Sequence, residues 1–178
     1  MGLMYVIISG TNRDGSVSRK LATIYCNLLK DKGIDSQIID LCDLPKDYLN
    51  SALYEKNGLN EIFNGQRETM LKASKFVFIV PEYNGSFPGV LKAFIDGLKF
   101  PTTFTDKKCA LVGLSIGQQG AGLALSHLTD IFNYCGMNVL AYKPQLSKIK
   151  ENMSTTEKML DTRYHSYLKR QVDQFVVF

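Results

Sequence analysis

The chain has 178 residues, of which 45% are hydrophobic and 21% are charged. These proportions are typical of a soluble globular protein, and they exclude a disordered, collagen-like or coiled-coil chain. The net charge of +4 suits anionic small ligands but is too small to indicate nucleic-acid binding by itself. No apolar run approaches the roughly 20 residues that a membrane span needs, so neither nucleic acid nor a membrane is an expected partner.

Short apolar runs alternate along the chain with segments of helical periodicity. The apolar runs predict strands covered on both faces, because they show no alternation with polar residues. Strands are expected at 4–8, 36–41, 75–80, 109–114 and 137–142. Helices are expected at about 21–33, 61–74, 88–99 and 125–135, and from about 154 to the end of the sequence. The segments 43–60 and 143–153 lack both patterns and are expected to be the most mobile.

Five strand–helix alternations predict an α/β fold with a mostly parallel sheet. Their number suits a doubly wound sheet of order 2-1-3-4-5 with helices on both faces. No composition break divides the chain, so one domain over residues 1–178 is expected. In such folds a ligand binds beyond the carboxyl ends of the strands, at the point where the strand order reverses. The loops after the first, third and fourth strands are therefore the candidate site.

The first of these loops, residues 10–18, connects a buried strand to the start of a helix. Its hydroxyl groups, its glycines and the helix N-terminus offer donors for a phosphate group, and Arg13 adds a positive charge. Gly15 is followed by Ser16 and not by Lys, which excludes a nucleotide P-loop, and no dinucleotide glycine pattern is present. A simple turn with Ser16 as the helix N-cap is the alternative interpretation.

The second and third loops, residues 81–89 and 115–122, add groups that suit a planar ring. Tyr83 can lie against a flat ring, and the N–H groups of Asn84 and Gly85 can bond its polar edge. Three glycines in the third loop allow the backbone to approach a ligand closely. Either loop alone could be purely structural. Together with a phosphate site, they outline a mononucleotide such as FMN.

Three sequence segments resemble motifs of the NADPH-dependent FMN reductase family, the flavodoxin-like group that includes quinone, azo and chromate reductases. Residues 10–19, GTNRDGSVSR, resemble the family's Gly-Ser-x-Arg-x-x-Ser-x-Asn motif. Residues 81–92, PEYNGSFPGVLK, are close to its Pro-Glu-Tyr-Asn-x-Ser-x-Pro-Gly-x-Leu-Lys motif, and residues 115–122 are similar to its glycine-rich third loop. The resemblance covers nearly the whole chain, and the second motif is the most specific.

The resemblance implies that FMN is bound, and it assigns roles to residues of all three loops. The implied phosphate ligands are Thr11, Arg13, Ser16 and Ser18. The implied neighbours of the isoalloxazine and ribityl groups, mostly through backbone atoms, are Pro81, Glu82, Tyr83, Asn84 and Gly85. The other side of the ring would contact Ser115 and Gly117.

The sequence departs from the family motifs at a few positions. Thr11 replaces a serine and keeps the hydroxyl group. Ser18 stands where the family usually has asparagine, a change that could loosen contacts to the phosphate or ribityl group. Ala93 and Phe94 replace the usual Asn-Ala pair, which we expect to alter packing or a subunit interface.

The implied function is NAD(P)H-dependent, ping-pong hydride transfer through bound FMN, with NADPH or NADH as the donor. The expected acceptors are quinones, azo compounds, metal oxyanions or free flavin. No catalytic side chain and no metal site is expected. The alternatives are a flavodoxin-type electron carrier, which the net charge of +4 disfavours because flavodoxins are acidic, and a non-catalytic FMN-binding protein.

Assembly and location are further expectations. The resemblance implies a homodimer or homotetramer with the flavin site near the interface. The four cysteines have scattered spacings without a Cys-x-x-Cys motif, which predicts free thiols and a cytoplasmic protein. The two histidines, His127 and His165, have no metal-ligand spacing and are expected to be surface or packing residues.

Overall fold

The computed structural model describes residues 4–153 and 162–178, in which strands and helices alternate along the chain. The strands are β1 (Tyr5–Ser9), β2 (Ser36–Asp40), β3 (Lys75–Pro81), β4 (Lys108–Leu114), β5 (Asn138–Val139) and β6 (Gln145–Leu146). The helices are α1 (Val17–Lys30), α2 (Tyr48–Ser51), α3 (Glu61–Lys72), α4 (Gly89–Asp96), α5 (Gly122–Tyr134) and α6 (Thr162–Val177).

The strands form one parallel sheet of order β2-β1-β3-β4-β5, which confirms the predicted flavodoxin-like order. Side chains of β1, β3 and β4 are buried on both faces, as the continuous apolar runs predicted. One face packs against α1 and α6, and the other packs against α3, α4 and α5. The polar loops after β1, β3 and β4 therefore meet at one edge of the sheet.

The edge beside β4 differs from the prediction of one fifth strand over 137–142. Two short strands occupy this edge, because β5 pairs with the start of β4 and β6 pairs with its end. Between them, the buried side-chain amide of Gln171 donates hydrogen bonds to the carbonyls of Leu111 (2.9 Å) and Tyr142 (2.8 Å). The Gln171 amide thus takes the place of the ladder bonds that a continuous strand would make here.

Several boundaries also differ from the sequence expectations. Helix α1 begins earlier, at Val17, because the Ser16 side chain caps its N-terminus by accepting a bond from the Arg19 amide. The segment 43–60 contains α2 and short 3₁₀ turns, and Tyr48 within it is buried. In the C-terminal region, α6 is described from Thr162, and the expected helix start near 154 lies outside the described residues.

The cysteines and the helices bear on two further expectations. The four cysteines are free thiols, as predicted. Within 4–153 and 162–178, none of the helices has the length and apolar character needed to cross a lipid bilayer.

Candidate functional site

A cavity of about 450 Å³ opens at the carboxyl edge of the sheet, where the three polar loops meet. The sequence-predicted residues that line it are Thr11, Arg13, Ser16, Ser18, Pro81, Glu82, Tyr83, Asn84 and Ser115. Gly85 and Gly117 lie in the same loops but do not line the cavity. The fold therefore brings together residues that are more than 100 positions apart in the sequence.

The first loop supplies the donors for a phosphate group. Gly10 donates its amide to the carbonyl of Ile79 at 2.9 Å, and an added Cβ would lie 2.8 Å from that oxygen, so only glycine fits here. This contact holds the loop against β3. Beyond it, Val17 and Ser18 begin α1 at the cavity wall, and the first turn of α1 contains no acidic side chain. A helix N-terminus favours an anion, although Asp14 and Glu82 also line this cavity.

Hydroxyl and guanidinium groups complete this donor set. Thr11 and Ser18 are almost fully buried, with 2% and 1% of their surface exposed, and both line the cavity. Arg13 is exposed, and it forms no ion pair among the residues that the structure describes. Hydroxyls, amides and one uncommitted guanidinium match the chemistry of a phosphate monoester, which accepts several charge-assisted hydrogen bonds.

The second loop forms a tight hairpin. Tyr83 and Ser86 exchange two backbone hydrogen bonds of 2.8 and 3.0 Å, while Asn84 and Gly85 at the tip have positive φ angles of 50° and 73°. Such a turn leaves the Asn84 and Gly85 amides without a backbone partner in the described part of the chain. Asn84 lines the cavity and Gly85 does not, and both amides are available to a ligand. The Glu82 amide is not, because it donates to the carbonyl of Leu114 at 3.0 Å.

Two side-chain contacts fix this hairpin in place. On one side, the Tyr83 hydroxyl lies 2.8 Å from Oγ1 of Thr11. On the other side, Oγ of Ser86 lies 2.9 Å from Nδ1 of His127, a residue of α5. His127 is thus an exposed residue that contacts the hairpin, in agreement with its interpretation as a surface or packing residue. The turn is held between the first loop and α5 before any ligand binds.

The third loop is closed by its own serine. Oγ of Ser115 accepts a bond from the Gly120 amide at 3.0 Å and donates to the carbonyl of Gly117 at 3.1 Å. Gly120 has a φ of +57°, and a Cβ at this position would lie 2.7 Å from the backbone of Gln145. Gly120 therefore allows this loop to pack closely against Gln145, the first residue of β6. Only Ser115 and Ile116 of this loop reach the cavity.

The segment 143–153, expected to be mobile, contributes Ile149 and Lys150 to the cavity. It is tied to the third loop by hydrogen bonds from the Lys148 amide to Gly117 (2.9 Å) and from the Ile149 amide to Ser115 (3.0 Å). The sequence analysis missed Lys150, a second cation beside the cavity. Its charge was visible in the sequence, but no pattern there indicated that this segment folds back onto the third loop.

Asp40, at the end of β2, forms an ion pair with Arg19 in the first turn of α1. It accepts a hydrogen bond from the Cys42 amide at 3.2 Å and lies 3.6 Å from Nε of Arg19. Burial raises the pKa of this carboxyl group, and the Cys42 amide and the Arg19 charge act in the opposite direction. Arg19 is therefore committed to Asp40 and does not line the cavity.

Comparisons with known proteins point to one protein family. Residues 4–149 match the family described as NADPH-dependent FMN reductase. A 2-hydroxy-1,4-benzoquinone reductase from a Burkholderia species is 28% identical over 188 aligned positions, which cover 100% of this chain and 97% of that protein. An NAD(P)H-dependent FMN reductase from Pseudomonas aeruginosa is 27% identical over 93% of this chain and 89% of its own length.

Solved structures share the fold. The flavoenzyme NAD(P)H:(acceptor) oxidoreductase FerB from Paracoccus denitrificans superposes with a TM-score of 0.76 at 22% identity, covering 99% of this chain and 96% of that one. This similarity concerns the fold alone, whereas the family match spans most of the sequence.

The cofactor expectation, FMN with NADPH or NADH, agrees with the family and with these relatives. The chain belongs to the NADPH-dependent FMN reductase family and is an oxidoreductase.

Proposed function

We propose that this protein binds FMN in the 450 Å³ cavity and reduces small-molecule acceptors, chiefly quinones, with NAD(P)H as the electron donor. The observation that carries the proposal is the continuity of the cavity. A phosphate-type donor set at the start of α1 and Asn84, the first residue of the turn with unpaired amides, line one space. A phosphate and a planar ring joined by a polyol chain suit this arrangement.

The proposed roles follow the geometry of each loop. Thr11, Arg13, Ser16 and Ser18, together with the first amides of α1, would hold the phosphate. The Asn84 and Gly85 amides would bond the polar edge of the ring, with Pro81, Glu82 and Tyr83 beside it. Ser115 would border the other side, and Gly117 would act through the loop that it helps to close. Lys150 would add positive charge near the phosphate.

When bound, FMN would supply the redox chemistry between NAD(P)H and an acceptor. The chain's own residues bind and orient. We propose that the acceptor takes the same place that NAD(P)H occupied, so that the donor leaves before the acceptor enters, which is ping-pong kinetics. No side-chain acid or base is required, since solvent can supply the second proton of a hydroquinone.

Quinones are proposed as the main acceptor class because relatives are named as quinone reductases, among them the Burkholderia protein. Azo compounds, metal oxyanions and free flavin are further candidates to be measured beside them. The decisive experiment is stopped-flow spectroscopy of the purified holoprotein with NADPH and NADH, followed by an oxidant panel. Protein that shows no flavin spectrum and binds no added FMN would contradict the proposal.

The same measurements separate the two alternative functions. A flavodoxin-type carrier would show almost no steady-state oxidation of NAD(P)H with a quinone. A non-catalytic FMN-binding protein would bind the flavin but fail to reduce it rapidly. The net charge of +4 favours the two-electron enzyme, since positive charge stabilises the anionic reduced flavin.

We further propose that the protein forms a homodimer through a groove between α4 and α5, with a homotetramer as the higher-order alternative. This groove, of about 480 Å³, is mostly apolar. Phe100 and Tyr134 stack at its rim with ring centroids 6.3 Å apart, although 65% and 83% of their surfaces are exposed. Lysine and aspartate side chains both line it, as a surface that pairs with its own copy requires.

Two broader assignments complete the proposal. We propose that residues 1–178 form one FMN-binding domain, because both apolar cores lie on a single sheet. We also propose a cytoplasmic location, because the four cysteines are unpaired thiols, the usual state in a reducing compartment. Fractionation of the native cells with an antibody would test the location.

A further inference from the structure

A second cavity adjoins the candidate flavin cavity and has no role in the function proposed above. It has a volume of about 650 Å³ and lies between the segment that follows β2 and the start of α4. Tyr83 lines both cavities, and Asn12 of the first loop also borders the second one. Because the Tyr83 hydroxyl is held 2.8 Å from Oγ1 of Thr11, the wall between the two cavities has a fixed position.

The walls of the second cavity carry more apolar than polar surface. Its aliphatic side chains and proline rings come from Leu41, Leu44, Pro45, Leu49, Pro88, Val90 and Ala93. Among the lining residues, within the described part of the chain, Lys46 alone has a charged side chain. The Cys42 thiol stays neutral because burial and the negative charge of Asp40 raise its pKa.

Residues 41–49, which form one wall of the second cavity, are anchored to neighbouring helices through Tyr48. The Tyr48 hydroxyl donates to the carbonyl of Ala93 at 3.0 Å, and its ring meets Phe63 edge-on at 4.8 Å. Only 4% of Tyr48 is exposed. The Asp40 carboxylate also accepts the Cys42 amide at 3.2 Å. These contacts hold the segment against α4, so the cavity exists before a ligand enters.

The charge around the cavity argues against a nicotinamide dinucleotide as its occupant. A pyrophosphate carries at least two negative charges, whereas Lys46 is flanked by the exposed residues Asp43 and Asp47. An uncharged aliphatic chain meets no such repulsion, and the methylene stem of Lys46 can cover it. The apolar walls and the shared Tyr83 therefore suit an extension of a molecule whose ring lies in the first cavity.

We propose that the second cavity binds the aliphatic side chain of an alkyl-substituted quinone, while the quinone ring lies on the flavin side of Tyr83. This rests on the proposed function, in which the acceptor is a quinone reduced at the first cavity. The protein would then favour quinones with an alkyl or prenyl chain over unsubstituted ones. Affinity would grow with chain length, because each added methylene leaves water for the apolar walls.

The test is isothermal titration of the FMN-loaded protein, without NAD(P)H, with 2,3-dimethoxy-5-methyl-6-alkyl-1,4-benzoquinones bearing methyl, propyl or pentyl chains. These quinones have no free ring position, so they do not add to the Cys42 thiol. Complete burial of a methylene strengthens binding about fourfold, and an open cavity should retain about twofold per methylene. The pentyl compound, with four more methylenes, should therefore bind about sixteenfold more tightly than the methyl compound.

Two exposed leucines provide a matched pair of variants. Leu49 lines the cavity and is 61% exposed, while Leu59 lies outside it and is 69% exposed, so neither substitution should unfold the protein. Leu49→Ser should reduce the pentyl-to-methyl affinity ratio about threefold and leave binding of the methyl compound nearly unchanged. Leu59→Ser should leave the ratio as it is. The KM for NADPH should be unchanged in both variants.

The outcomes separate this inference from the function on which it rests. If the FMN-loaded protein does not reduce the methyl compound with NAD(P)H as the donor, the proposed function itself fails. If the methyl compound is reduced but affinity does not rise with chain length, only the assignment of the second cavity is overturned. It is also overturned if Leu49→Ser leaves the ratio unchanged, if Leu59→Ser lowers it equally, or if Leu49→Ser instead raises the KM for NADPH.

Discussion

At the scale of single residues, the candidate site depends on which charged groups are already committed. Arg19 is paired with Asp40, whereas Arg13 lines the cavity and forms no ion pair within 4–153 and 162–178. The two arginines lie near the same helix start and differ mainly in this respect. They therefore form a matched pair for testing the phosphate assignment.

We expect Arg13→Ala to weaken FMN binding about tenfold, because it removes a charge-assisted hydrogen bond that is partly screened by solvent. Riboflavin, which lacks the phosphate, should bind the variant and the parent protein equally. Arg19→Ala should leave both affinities within about twofold. Fluorescence titration of the apoprotein with each flavin measures these values. An equal loss of FMN and riboflavin affinity in Arg13→Ala would contradict a phosphate contact.

Asp40 gives a prediction about pH. Burial raises the pKa of this carboxyl group in the folded state, so the folded protein binds its proton more tightly than the unfolded chain does. The stabilising contribution of that proton is complete below the unfolded pKa and disappears as pH rises through the folded pKa. Asp40→Asn does not titrate. Its free energy of unfolding, relative to the parent, should therefore increase between about pH 3 and pH 7.

Urea unfolding of Asp40→Asn and the parent across that pH range checks this. The asparagine can still accept the Cys42 amide, which limits the change to the charge and its ion pair with Arg19. A parent protein that instead gains stability over the variant as pH rises would show that the Arg19 pair outweighs burial, and the direction assigned to the pKa would be wrong.

At the scale of elements, the second loop combines two functions in one turn. Its positive φ angles at Asn84 and Gly85 turn the chain back and leave two amides without a backbone partner, beside the cavity that Asn84 lines. The flanking contacts of Tyr83 to Thr11 and of Ser86 to His127 then fix its position. An added Cβ at Gly85 would meet nothing within 4 Å. A substitution at this position should therefore act through backbone strain and not through a steric clash.

We expect Gly85→Val to destabilise the apoprotein by about 1–2 kcal/mol, since a β-branched residue is strained in the left-handed region. Gly85→Asn should recover most of this loss, because asparagine tolerates a φ near the observed +73°. Denaturant unfolding of both variants, followed by FMN titration, measures the effect. If both variants lost a similar amount of unfolding free energy, the effect of substituting Gly85 would not be due to backbone conformation.

The elements also mark how far the sequence could predict this fold. The buried strands and the motif loops could be identified, because apolar runs and turn residues are local signals. The split of the fifth strand could not, because it depends on Gln171, which is 60 residues from its partner Leu111. Lys75 was counted as the first residue of a strand, yet it is buried and donates to the carbonyls of Phe175 and Val176. Such long-range polar contacts leave no periodic pattern.

At the scale of the whole molecule, the three loops of the candidate site could be predicted because the carboxyl ends of parallel strands must share one edge. The contribution of Lys150 could not be predicted, because it requires the segment after β6 to fold back onto Ser115 and Gly117. The second cavity escaped the sequence analysis for a similar reason. Its wall depends on the anchoring of Tyr48 against α4, which no local pattern indicates.

The groove between α4 and α5 is the surface from which the assembly can be predicted. Tyr134 lines this groove with 83% of its surface exposed, and Tyr54 lies elsewhere with 78% exposed. We expect the parent protein to show a multiple of the 20.0 kDa chain mass by light scattering. Tyr134→Asp should shift the protein to the mass of one chain, because it places a charge within an apolar interface. Tyr54→Asp should leave the mass unchanged.

Both substitutions replace exposed tyrosines, so a difference between them reports on the groove and not on folding. A parent protein that elutes with the mass of one chain at every concentration would contradict the proposed dimer. A Tyr134→Asp variant that keeps the parent's mass would move the interface to another surface. If the variant becomes a monomer and also binds FMN more weakly, the cavity depends on the partner subunit, as the resemblance to the family implies.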